Sequence, residues 1–169
     1  ILDWSLSRGL GDVYKRQTIR FVSIDPYRIV VSGRIKHFTS AFGEHVIAEE
    51  VEKSLKYAIE KISAQVNEFH VAPQVSPKSG LPFHEWLIEF EKKPKNLSGF
   101  QALVDTTLQK QNSYYKDLVS GNVLRPLKIT IVKKGGFRSY MKSIGKLGGQ
   151  NKVPRLANDR KIANQLIEF

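Results

Sequence analysis

Cysteine is absent from the 169-residue chain. That absence excludes a disulfide scaffold, a thiolate nucleophile and a thiolate metal site, and it fits a cytoplasmic location. Histidine is scarce. His37, His45, His70 and His84 show no ligand spacing such as two on one helical face, so no metal site is expected. There is no Gly-x-Ser-x-Gly elbow to support a serine nucleophile. No apolar run approaches the ~20 residues of a membrane span, so a membrane is not an expected partner. The most informative shortage is of acid: 16 Asp and Glu against 27 Lys and Arg give a formal net charge of +11. From Leu124 to Lys161 the imbalance is extreme, with Asp159 the only acid in a stretch that carries Arg125, Lys128, Lys133, Lys134, Arg138, Lys142, Lys146, Lys152, Arg155, Arg160 and Lys161. Such a region suggests phosphate, on a nucleotide or on a nucleic acid.

The length is that of one domain with a sizeable core. Residues Ser7 to Gln17 read Ser-Arg-Gly-Leu-Gly-Asp-Val-Tyr-Lys-Arg-Gln and resemble, residue for residue, the translation of a transposon-end adapter used in sequencing libraries. Residues 1–17 are therefore expected to be non-native and are set aside from fold reasoning. The native chain is expected to continue upstream of Thr18.

From Thr18 onward the patterning is protein-like. Ile19–Ile24 and Tyr27–Val31, separated by Asp25-Pro26, predict a β-hairpin. A connector from Gly33 to Gly43 precedes the clearest helix, where Ile47, Val51, Leu55, Ala58, Ile59, Ile62 and Val66 fall at helical spacing. Glu49 and Glu50 take its polar side, a solvated face. Phe69–Val75 predicts a strand that Pro73 places at an edge. Phe83–Glu91 alternates, with Trp86, Ile88 and Phe90 on one face and Glu85, Glu89 and Glu91 on the other, predicting a strand buried on one side. Asn96 is a candidate N-cap for a helix carrying Phe100, Leu103, Val104 and Leu108. A strand through Leu127, Ile129 and Ile131 stops at Gly135-Gly136, and a short helix spans Phe137–Ser143. The last helix is expected over Asn158–Ile167, with Ile162, Ala163, Leu166 and Ile167 inward. The class predicted is α+β, a mixed β-sheet flanked by helices.

Between the last two helices lies Ile144–Arg155, Ile-Gly-Lys-Leu-Gly-Gly-Gln-Asn-Lys-Val-Pro-Arg, which has no acidic residue. Its glycines allow a close backbone approach to a ligand, and Pro154 stiffens the exit. The plain alternative is a solvated loop whose lysines serve solubility. The loop is not a Walker motif, because Leu147 follows Gly145-Lys146 where Ser or Thr would hold Mg²⁺. Lys152 and Arg155 are suited to neutralise charge on a transferring phosphoryl or adenylyl group. Arg34 and Lys36, in the connector, are candidates for the same nucleotide.

Several stretches together resemble the C-terminal part of the Gretchen Hagen acyl acid–amido synthetase family, also called the auxin-responsive promoter family. They are Phe21-Val22-Ser23 with Val31-Ser32-Gly33-Arg34, Glu49-Glu50-Val51, Asn112-Ser113-Tyr114-Tyr115, Arg125-Pro126-Leu127-Lys128-Ile129 and Gln150-Asn151-Lys152-Val153-Pro154-Arg155. The likeness is closer to bacterial members than to plant ones, in which a lysine stands in the hinge stretch where this chain has His45. The resemblance implies the small C-terminal domain of an adenylate-forming enzyme, which activates a carboxylic acid with ATP and passes it to an amino acid. It implies that 18–43 closes the large adenylating domain and forms the hinge, and that 44–169 is a C-terminal domain that swings between half-reactions. Lys152 would be the catalytic lysine, with Arg34, Lys36 and Arg155 near the nucleotide. ATP and Mg would bind only with the missing N-terminal adenylating domain, so this chain alone is expected to be inactive. The alternative is a basic α+β module that binds nucleic acid. The aromatics Tyr114, Tyr115, Phe137 and Tyr140 form no recognisable stacking platform, which disfavours it.

Overall fold

A computed structural model describes residues 17–34, 38–148 and 151–169. The expected adapter, apart from Gln17, and Lys36 lie outside them. The hairpin forms as its patterning predicts: β1 (Gln17–Ile24) pairs antiparallel with β2 (Tyr27–Arg34) around Asp25-Pro26. The second half of the connector holds structure that its composition did not announce. There β3 (Phe38–Thr39) pairs with β4 (Val46–Ile47).

Helix α1 (Ala48–Ile62) follows directly and buries Val51, Leu55 and Ala58. Its end is set by Ser63 in the left-handed region, φ 53°. Val66, which fits the helical stripe by spacing, therefore belongs to the next strand, β5 (Gln65–Gln74). Glu50 departs from the solvated reading. Half-buried, its carboxylate accepts from the Ile47 amide at 3.1 Å and from Asn112 Nδ2 at 3.1 Å, closing the start of the helix. Burial raises its pKa against the opposing pull of those donors.

A three-stranded sheet carries the remaining structure. β6 (Phe83–Lys92) runs antiparallel to β5, and β7 (Lys128–Val132) runs parallel to β6. The order β5-β6-β7 leaves Pro73 in an edge strand, as its missing donor requires. The crossover from β6 to β7 passes through α2 (Leu97–Gln111) and α3 (Ser113–Ser120). Asn96 caps α2 by accepting from the Gly99 amide at 2.9 Å. Helix α3 was not predicted: its polar sequence carries one buried anchor, Tyr115, and hence no stripe. α4 (Gly136–Ser143) forms at the predicted place. α5 (Lys161–Leu166) is shorter than expected, because Asp159 accepts from the Lys161 amide and sets the start there. Ile167, expected inward, falls just past the helix end and is exposed.

Both faces of the sheet are covered. Trp86, Ile88, Phe69, Phe100, Val104 and Leu127 form a core with α1, α2 and α3. Leu87, Ala72 and Val132 form a second core with Phe137, Tyr140, Met141, Ala163 and Leu166 from α4 and α5. Burying each such large side chain is worth about 1.5–3 kcal/mol. The single-sided reading of β6 is thereby corrected: Glu85 and Glu89 are buried as well. Burial is tolerable because each carboxylate is supplied with donors. Thr130 and Arg160 serve Glu85, while the Gly135 and Phe137 amides serve Glu89. The fold is α+β, a mixed sheet with helices on both sides.

Candidate functional site

The basic loop leaves α4 and returns along the free edge of β5. At the start of α4, Gly135 adopts φ 82° and offers no capping side chain. Glu89 takes over that role from β6, its carboxylate accepting from the Gly135 amide at 2.9 Å and the Phe137 amide at 3.3 Å. Negative charge there also complements the helix dipole. After Ser143 the chain turns through Gly145 at φ 68° and Gly148 at φ 102°, a conformation that glycine adopts without strain. Gly149 and Gln150 lie outside the described residues.

On the return, the backbone becomes a strap. The Val71 amide donates to the Arg155 carbonyl at 2.8 Å, and the Ala157 amide donates to the Val71 carbonyl at 3.0 Å. Val153 sinks into the second core and Leu156 into the first. One side chain adds to these backbone bonds. His70, fully buried in β5, donates from Nδ1 to the Pro154 carbonyl at 2.6 Å. A carbonyl only accepts, so the proton sits on Nδ1, and Nε2 finds no partner among the described residues. Burial pushes the pKa of His70 below the ordinary histidine value despite that hydrogen bond.

Between α4 and the loop is a shallow cavity of about 180 Å³. Phe137, Met141, Leu147 and Val153 contribute apolar walls, while Arg138, Lys146 and Lys152 bring cations. Glu68 is the one acid along it among the described residues. Lys152 is exposed, immediately before the strap begins. Cations of one sign over an apolar surface favour an anion that carries an apolar portion.

The other predicted residues lie elsewhere. Arg155 pairs with Glu52 of α1 and stacks over Phe69, 5.3 Å from the ring centroid. The cavity near Lys152 does not include it. Arg34 ends β2, and Lys36 lies outside the described residues.

A family comparison bears on this arrangement: residues 49–161 match the GH3 family C-terminal domain. The chain belongs to that family. No curated protein matches it. Among solved structures it is similar to GH3.15 acyl acid amido synthetase, with a TM-score of 0.68 and 20% identity over 90% of this chain and 30% of that one. It is also similar to AtGH3.15 acyl acid amido synthetase in complex with 2,4-DB, with a TM-score of 0.65 and 18% identity over 89% of this chain and 29% of that one. Likeness at this identity carries the fold. The GH3 C-terminal domain here thus spans less than a third of the length of the synthetases it matches.

Two features of this GH3 domain were not anticipated from its sequence. The first is the anchoring pair Glu89 and His70, one at each end of the loop. The second is a buried polar network beneath β3 and β4. Glu44, fully buried, accepts from His84 Nε2 at 2.8 Å and from the Phe42 amide at 2.8 Å. Burial alone would raise the Glu44 pKa, but the paired histidine and these donors lower it on balance. Asn112 Nδ2 donates to the Glu44 carbonyl at 3.0 Å, tying the connector to α3. Thr39 Oγ1 donates to the carbonyl of Ala157 at the end of the strap, and the Ser40 amide donates to Asn158 just beyond it. The sequence offered no local signal for this network, since Glu44 stands beside His45 and His84 beside Glu85.

Proposed function

We propose that this chain is the C-terminal domain of a cytoplasmic, ATP-dependent ligase that forms an acyl-adenylate from a carboxylic acid and conjugates it to an amino acid. The observation that carries the reading is an exposed lysine in a basic loop, held against the sheet of a domain that belongs to the GH3 family. In this reading Lys152 approaches the nucleotide on the large domain and neutralises charge that develops as pyrophosphate leaves. A positioned donor of this kind is worth about 10²–10³ in rate. Arg34, Lys36 and Arg155 are proposed to lie near the same nucleotide. Reaching it would require Arg155 to exchange Glu52 for phosphate. Among the described residues no group of three or more His, Asp or Glu could hold a metal ion. In the same reading Mg²⁺ comes with ATP and is held by the large domain.

The basic run is less available to nucleic acid than its composition suggests. Arg160 pairs with Glu85, Lys134 with Glu91 and Arg155 with Glu52, while Arg125 lies over the Phe83 ring. The deciding experiment uses the complete reading frame joined to this domain. A carboxylic acid should elicit ATP–pyrophosphate exchange, and adding an amino acid should yield the amide. No exchange with any carboxylic acid, together with steeply salt-dependent binding to single-stranded nucleic acid, would replace the ligase reading with a binding module.

A further inference from the structure

We infer that His70 is a positioning residue for Lys152: its buried Nδ1–H fixes the Pro154 carbonyl and so sets where the chain leaves the strap towards Lys152. The inference rests on the reading that Lys152 acts on a nucleotide. Its geometric part stands apart from that reading.

Among the described residues, the backbone pairing of the strap reaches only from Arg155 to Ala157, through Val71. N-terminal to it, Val153 is held by packing, which fixes burial but not the direction of a carbonyl. The His70 bond at 2.6 Å supplies that direction, two residues from Lys152. The site is otherwise an unusual place for a histidine. His70 is fully buried in an edge strand, next to apolar Phe69 and Val71, and Nε2 goes without a partner among the described residues. Leaving a buried nitrogen unpaired opposes stability, so a leucine would serve the core at least as well. What leucine lacks is the donor to Pro154. His70 therefore acts on Lys152 through the backbone, without touching substrate.

The test compares His70→Leu, which fills the space without a donor, with His70→Asn, which keeps an amide N–H near the place of Nδ1. In this chain, hydrogen exchange of the Ala157 amide, which bonds the strap to Val71, should accelerate roughly tenfold in His70→Leu and return towards the parent rate in His70→Asn, with α2 unchanged. Equal exchange in both variants, or acceleration spread equally over α2, would overturn the inference. In the full-length enzyme, His70→Leu should lower kcat for adenylation about 10- to 100-fold with little change in KM for ATP. The same substitution should add nothing in a Lys152→Ala background. An equal loss in both backgrounds would also overturn the positioning role. If Lys152→Ala itself has no effect on adenylation, the role assigned to Lys152 fails, and the hydrogen-exchange data still decide whether His70 holds the strap.

Discussion

Replacing Glu89 with glutamine tests whether the sheet holds the start of the loop-bearing helix. In the native protein both carboxylate oxygens accept: Oε1 from the Gly135 amide at 2.9 Å and Oε2 from the Phe137 amide at 3.3 Å. Gly135 cannot cap α4 itself, and Glu89 is buried, so water is a poor substitute. E89Q turns one acceptor into a donor facing a backbone N–H and removes the charge at the helix N-terminus. A hydrogen bond to a charged group is worth about 1.5–3 kcal/mol, and the helix-end charge about 0.3–1 kcal/mol. With one acceptor retained, the expected loss is about 2–3 kcal/mol. That corresponds to a fall in Tm of roughly 5–10 °C for a chain of this size. Urea unfolding should show a lower midpoint with an unchanged slope. E91Q is the control, because Glu91 is exposed and its bond to Lys134 lies in solvent. A loss below about 0.5 kcal/mol in E89Q would show that the carboxylate does not cap α4.

Further outcomes follow from the same geometry. Burial lowers the pKa of His70 from its ordinary value of 6.5, helped by Arg160 and opposed by the Pro154 carbonyl and Asp159. The unfolded chain then binds more protons, so this contribution is present above that value and is lost as pH falls through it. Urea titrations should show that H70N has a shallower decline in stability between about pH 7 and pH 5; an identical decline would refute the assignment. Glu44→Ala strands His84 in a fully buried site and should cost about 3 kcal/mol by denaturant unfolding, whereas a cost under about 1 kcal/mol would mean the pair is dispensable. Gly136→Ala places a Cβ 2.5 Å from Val132 Cγ1 and should destabilise by about 1–3 kcal/mol in the same assay. Unaltered stability there would mean that α4 can shift freely on β7.

What the sequence made legible was the part written in local periodicity. Val51, Leu55 and Ala58 recur at helical spacing because one face of α1 meets the core and the other meets water. Alternation likewise identified β6, but period two tells only that faces differ, not what covers each. Glu85 and Glu89 read as solvent-facing because their donors lie far along the chain, in Thr130, Arg160, Gly135 and Phe137. The two-residue strands β3 and β4 are too short to carry a pattern, and α3 hides behind a single buried tyrosine. Composition and family likeness together drew attention to the basic loop. They could not show that Arg155 turns to Glu52 while Lys152 stays beside the cavity, since both residues share one short basic stretch.

The most direct measurement is ATP–pyrophosphate exchange by the full-length enzyme carrying Lys152→Ala. Lys152 is exposed, so the substitution should leave the unfolding midpoint of the domain in place. The role assigned to Lys152 predicts a loss of exchange of about 10²-fold or more, from removal of one positioned cation. Exchange at the parent rate in a folded Lys152→Ala enzyme would contradict it.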